Sequence, residues 1–231
     1  MNRTIRRSAS FAAAAVLSLS LVACGSEDDG DDTSSGSDDT TSETTTEDSP
    51  SASESDDMAS GAGAETFGEG CSSIPTTGDG SFDGMVDDPV ATAASNNPLL
   101  TTLVSAVGAI DGLGDTLNSA EALTVFAPYD PAFEEIPTKD LNAMVKDGQE
   151  MGQDSALYKV LAHHVLGEND MADAVTGEKE TLAGDTLTIE GDTESGITVT
   201  DGTVTANVLC GNIPTANATV YVIDKVLTGV K

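Results

Sequence analysis

Between Gly25 and Gly70 the chain is almost wholly Asp, Glu, Ser, Thr, Gly and Ala, with Phe67 its only aromatic residue. Such a stretch has too little apolar surface to offset the entropy of ordering it, and its charge resists compaction. It is expected to form a disordered tether, residues 24–70, which confines a folded core to residues 71–231. As a random coil the tether would span about 35 to 40 Å, from roughly 5 to 6 Å times the square root of its length, and self-repulsion extends it further. Residues 71–231 are enough for one domain of ordinary size.

Ahead of the tether stand Arg3, Arg6 and Arg7, then the apolar stretch from Phe11 to Val22. A basic start followed by about a dozen apolar residues is an export signal rather than a spanning helix, which needs about 20. Leu21-Val22-Ala23-Cys24 resembles the lipobox of bacterial lipoproteins, whose cysteine receives a diacylglyceryl group before cleavage. Residues 1–23 are therefore expected to be a lipoprotein signal peptide and Cys24 a lipid-anchored N-terminus on the extracytoplasmic face of the cell membrane. Two acyl chains suffice for stable anchoring where one is marginal.

The formal charge of −31 becomes −34 if the three arginines leave with the signal, and no Lys or Arg stands between Arg7 and Lys139. Nucleic acid and anionic lipid headgroups are poor partners for such a surface. The Thr-rich run from Thr40 to Thr46 suits O-glycosylation, with an unmodified solvating spacer as the other reading. Asp28-Asp29-Gly30-Asp31-Asp32 misses the spacing of an EF-hand loop.

With Cys24 assigned to lipid, Cys71 and Cys210 remain as a pair in an oxidising compartment, where a disulfide is expected. The alternative is two buried free thiols.

From residue 97 the elements are short. Leu99, Leu100, Leu103 and Val107 form a helical stripe after Asn97-Pro98; Leu123 to Ala127 is a β-type run ended by Pro128; Asp130-Pro131 starts a helical turn that Pro137 stops. Leu141 to Val145 and Ala156 to Val165 read as helices. After Gly167, strands are expected at Leu182, Leu187–Ile189, Ile197–Thr200, Val204–Val208 and Thr219–Ile223, separated by turns. Helices early and antiparallel strands late define an α+β domain.

Thr124-Val125-Phe126-Ala127-Pro128-Tyr129-Asp130-Pro131-Ala132-Phe133, the His163-His164 pair and Ala216-Asn217-Ala218-Thr219-Val220-Tyr221 resemble, in order, the motifs of the fasciclin (FAS1) family. The resemblance spans about residues 86 to 229. Ser95-Asn96-Asn97-Pro98 and Cys210-Gly211 are most similar to the single-domain mycobacterial members, which share the two-cysteine bridge. It implies a β-sandwich wedge with packed helices, and a non-enzymatic module for cell-surface adhesion. It also implies that Thr124, Phe126, Ala127, Pro128, Asp130, Phe133, His164 and Asn217 hold the fold together, His164 by hydrogen bonding. Animal members place an Asp-Ile pair used in integrin binding just before the second motif. Here the pair is Asn212-Ile213, a candidate partner contact without the acidic group.

No catalytic or metal site emerges: there is no G-x-S-x-G elbow, H-E-x-x-H, C-x-x-C, P-loop or dinucleotide fingerprint. No cofactor is expected, and Trp is absent, which argues against a stacking platform for nucleobases. The reading is a monomeric, membrane-anchored domain that binds an unidentified surface or matrix protein or glycan. The alternative is a carrier of a small apolar ligand or lipid in the cell envelope.

Overall fold

The computed structural model describes residues 61–230. The expected signal segment, Cys24 and the tether as far as residue 60 lie outside the described residues.

Six helices come mostly first: α1 (Phe82–Met85), α2 (Val90–Asn96), α3 (Thr101–Gly108), α4 (Leu113–Ser119), α5 (Thr138–Met151) and α6 (Ala156–His163). Strand β1 (Leu123–Pro128) falls between α4 and α5. Then follow β2 (Val165–Leu166), β3 (Gly177–Glu180), β4 (Thr186–Asp192), β5 (Gly196–Thr200), β6 (Thr205–Pro214) and β7 (Ala218–Ile223). They make one sheet in the order β2-β1-β7-β6-β5-β4-β3, with β1 parallel to β7 and every other neighbour antiparallel. The sheet curls until its ends meet: Leu166 on β2 bridges Thr181 just past β3, and the Leu182 N–H donates to the Val165 carbonyl at 2.8 Å.

Curling gives the sheet two apolar faces. Phe126, Leu187, Ile189, Ile197, Val199, Tyr221 and Ile223 fill the inside. Leu123, Ala127, Ala218, Val220 and Val222 point the other way, against the helices. The alternation of side chains along a strand does the sorting. β7, covered on both faces, is buried at all six positions and reads as a continuous apolar run, whereas β4 and β5 alternate buried and open. On β6 the register shifts between Val208 and Ile213, so that Val208 faces inside while Cys210 and Ile213 face the helices.

Several sequence expectations need correction. The helix expected to run to Val165 ends at His163, and Val165 starts a strand. Leu182 is in no strand and is 51% exposed. β3, with the sequence Gly-Glu-Lys-Glu, has no apolar alternation to announce it. The folded region also begins before Cys71. Phe67 and Gly211 exchange both backbone hydrogen bonds, at 3.2 and 2.9 Å, and the Phe67 ring lies 6.4 Å from that of Tyr221. Cys71 and Cys210 are joined in a disulfide across 139 residues, for which loop-closure entropy gives about 5 kcal/mol. Residues 65–71 thus strap onto the irregular part of β6.

Gly211 makes the strap possible, because a Cβ there would lie 2.6 Å from Phe67 Cε1 and 3.0 Å from Tyr221 Cδ1. Gly211→Ala is expected to lose about 1 to 3 kcal/mol, as overpacked sites do, in urea unfolding with the disulfide intact. A wild-type midpoint would mean that Phe67 does not seat on this glycine.

Candidate functional site

The motif residues come together as connectors between elements. β1 and β7, the two motif strands, lie side by side with Thr124 opposite Thr219 and Phe126 opposite Tyr221. The Phe126 and Tyr221 rings pack inside the sheet, 5.5 Å apart. Ala127 and Phe133 are buried on the helix side, and Pro128 ends β1. The Thr124 hydroxyl is fully buried; it donates to the Glu168 carbonyl at 2.7 Å and accepts from the Asp170 N–H at 2.8 Å, holding the loop after β2.

Two helices receive their caps from remote residues. Leu100, ahead of α3, has no side-chain oxygen to offer, and Asp130 supplies both of its own: one accepts from the Thr102 N–H at 2.7 Å, the other from the Thr101 hydroxyl at 2.6 Å. Pro89 precedes α2, so Asn217 Oδ1 accepts the Val90 N–H and Asn118 Oδ1 the Ala91 N–H, each at 2.9 Å. Asn217 Nδ2 then donates to the carbonyls of Leu117 and Ala120 at 2.8 and 2.9 Å, closing the end of α4. Asn217 therefore joins the start of α2, the end of α4 and the start of β7.

His164 is buried and both ring nitrogens are used. Nδ1 lies 2.7 Å from the Val160 carbonyl, and Nε2 lies 2.9 Å from the Leu227 N–H, which can only donate. Nε2 is therefore the bare nitrogen and Nδ1 carries the proton. Burial, opposed by the Val160 bond and aided by His163, brings the His164 pKa down to about 4. His163, equally buried, sits with Nδ1 3.3 Å from Asp185 and Nε2 3.7 Å from Asp201. Asp201 also accepts from the N–H groups of Thr203, Val204 and Gly229 at 2.7 Å each. Neither histidine faces solvent, so the residue type best suited to proton transfer is committed to the interior.

Asn212 and Ile213, the pair expected to touch a partner, are internal as well. They are 8% and 2% exposed. Asn212 adopts φ 61°, and its amide donates to the Glu65 carbonyl and accepts from the Ala172 N–H, both at 3.1 Å. Asn tolerates this left-handed conformation better than most residues, so the pair builds the bend of β6 rather than a contact surface.

What remains open lies between the helices. An apolar cavity of about 100 Å³ is lined by residues of α2, α3, α4, α6 and β1, with Leu182 among them. Val125, on a strand paired on both sides, is only half-buried because it faces this cavity. Sequence reading missed the site since six separate elements contribute to it, Val165 of β2 included. Small-molecule sites run to roughly 300 to 1,000 Å³, so the space is too small for a whole lipid chain.

Comparison with known proteins matches residues 98–229 to the family model described as Fasciclin domain. The cell surface glycolipoprotein MPB83 of Mycobacterium bovis is 38% identical over 186 residues, covering 78% of this chain and 79% of its own. The immunogenic protein MPB70 of the same species is 39% identical over 173 residues, covering 72% and 83%. Among solved structures, a FAS1 domain pair from the insect cell adhesion molecule Fasciclin I aligns at TM-score 0.43 and 21% identity, over 56% of this chain and 44% of that one.

Two outcomes follow from the connectors. Unfolded His164 protonates near its ordinary 6.5 and folded His164 only near 4, so the unfolded chain binds the proton more readily and acidification disfavours folding. Stability should fall by roughly 3 kcal/mol from this group as pH drops from 6.5 to 4; a His164→Gln chain with the same slope over that window would refute the assignment. Asn217→Ala strips partners from three backbone groups and should cost about 2 to 4 kcal/mol, since unpaired groups lose about 1 to 3 kcal/mol each when buried, with hydrogen exchange rising first at α2 and α4.

Proposed function

We propose that this chain, which belongs to the fasciclin domain family, is a non-enzymatic interaction module carried on the outer face of a cell membrane by a lipid on Cys24. The observation that carries the reading is the resemblance to a cell surface glycolipoprotein across 78% of the chain, joined to a lipobox-like sequence at the end of an apolar signal stretch. Among the described residues no helix is long and apolar enough to cross a membrane.

The interior supports a binding role. Thr124, Asp130, His164 and Asn217 are spent on caps and on links between elements, which leaves the surface to do the work. Residues 61–231 contain 27 acidic and 6 basic side chains, a net formal charge of −21. A charge of that size favours basic partners and repels anionic ones. The Thr-rich run between Thr40 and Thr46 is the place for the glycan that the word glycolipoprotein implies for the relative. The acidic tether then serves as the spacer that lifts the domain from the bilayer.

Cells expressing the wild-type chain should carry it in the membrane fraction and adhere to at least one of three surfaces: host matrix, envelope glycans, or cells bearing the same chain. Cys24→Ala should release the protein or leave it unprocessed and abolish the adhesion. Membrane sedimentation of the variant at mature size would sink the anchor, and equal adhesion by cells lacking the protein would sink the function.

A further inference from the structure

Val125 marks an unusual place, an apolar strand residue with paired neighbours that stays only half-buried where it faces the cavity. Around it Val104 and Val107 of α3, Leu117 of α4 and Tyr158 of α6 wall the cavity, and Leu182, 51% exposed, stands with them. Beside it lies an open depression of about 340 Å³ that shares Ala91, Val104 and Val107 with the cavity and adds the exposed acids Asp111 and Asp115.

Size and charge together select the occupant. A cavity of about 150 Å³ takes a benzene ring, so about 100 Å³ takes one branched aliphatic group. The neighbouring depression is acidic and sits on a domain of charge −21. We infer that the cavity is the anchor site for a single aliphatic side chain of a partner protein, presented by an extended segment whose flanking residues are lysine or arginine. This rests on the surface-interaction reading above and specifies the chemistry of the partner. Binding energy at protein interfaces concentrates in a few side chains seated in desolvated pockets, and charge around them sets encounter rate and salt dependence.

The test uses the intact chain in zwitterionic phosphatidylcholine nanodiscs and a fluorescein-labelled dodecapeptide with one central leucine and four lysines, followed by anisotropy. Saturable binding is expected, weakened about tenfold when the leucine is replaced by serine, a loss typical of removing one seated side chain. Ala91→Leu, which fills the cavity, and Thr116→Trp, on an exposed residue at its edge, should each weaken it at least about tenfold. Asp111→Asn with Asp115→Asn should weaken it about threefold and flatten its salt dependence. Melting curves establish that each variant is folded, and the leucine-to-serine peptide needs no variant at all. Equal affinity for the serine peptide, unchanged binding by the folded cavity variants, or displacement of the peptide by palmitate would each overturn the inference. If cells bearing Ala91→Leu adhere like wild type, the anchor site is wrong and surface adhesion stands. If the peptide binds but wild-type cells do not adhere, the surface reading fails alone.

Discussion

The parallel pairing of β1 with β7 is the contact on which the rest of the domain depends. It joins residues about a hundred positions apart, with Leu123 opposite Ala218 and Pro128 opposite Ile223, so its loop-closure entropy must be recovered from burial on both faces. One face meets the helices and the other fills the curled sheet, and that is why β7 can be apolar at every position. The pairing of the two strands then extends outward through Thr124 to the loop after β2 and through Asn217 to α2 and α4.

This arrangement explains what could be read in the chain and what could not. β1 and β7 were visible as apolar, β-branched runs, and the order of helices before strands followed from the turn residues between them. α2 and α4 were invisible because neither carries its own cap: the groups that complete them belong to Asn118 and Asn217, remote from them along the chain or in the opposing element. β2 is two residues long and β3 is charged, so neither produces a period. Phe67 stood alone in an acidic stretch, and its meaning depends on Gly211, a residue with no side chain to suggest a partner. Thr124, Asp130, His164 and Asn217, singled out by the resemblance to the fasciclin motifs, each hydrogen-bond groups of another element. The resemblance also pointed to Asn212 and Ile213 as a contact surface, which their burial excludes.

Both histidines are committed to holding the domain together. His164 links α6 to the C-terminal segment through its two ring nitrogens, and His163 is enclosed with Asp185 and Asp201. The polar groups that matter most to the fold are the least reachable. Variation at the surface can therefore proceed without disturbing them, which suits a scaffold that presents different faces to different partners.

The closure of the sheet has a further consequence for how two copies of the domain can meet. An open strand edge is a template for pairing with the same edge of a neighbour. Here one end of the sheet is only two residues long and is bridged to Thr181, and the other carries Glu178, Lys179 and Glu180 beside that bridge. Two copies that approach edge to edge therefore meet charge rather than unpaired backbone. The closed sheet leaves strand exchange no template on which to build fibres.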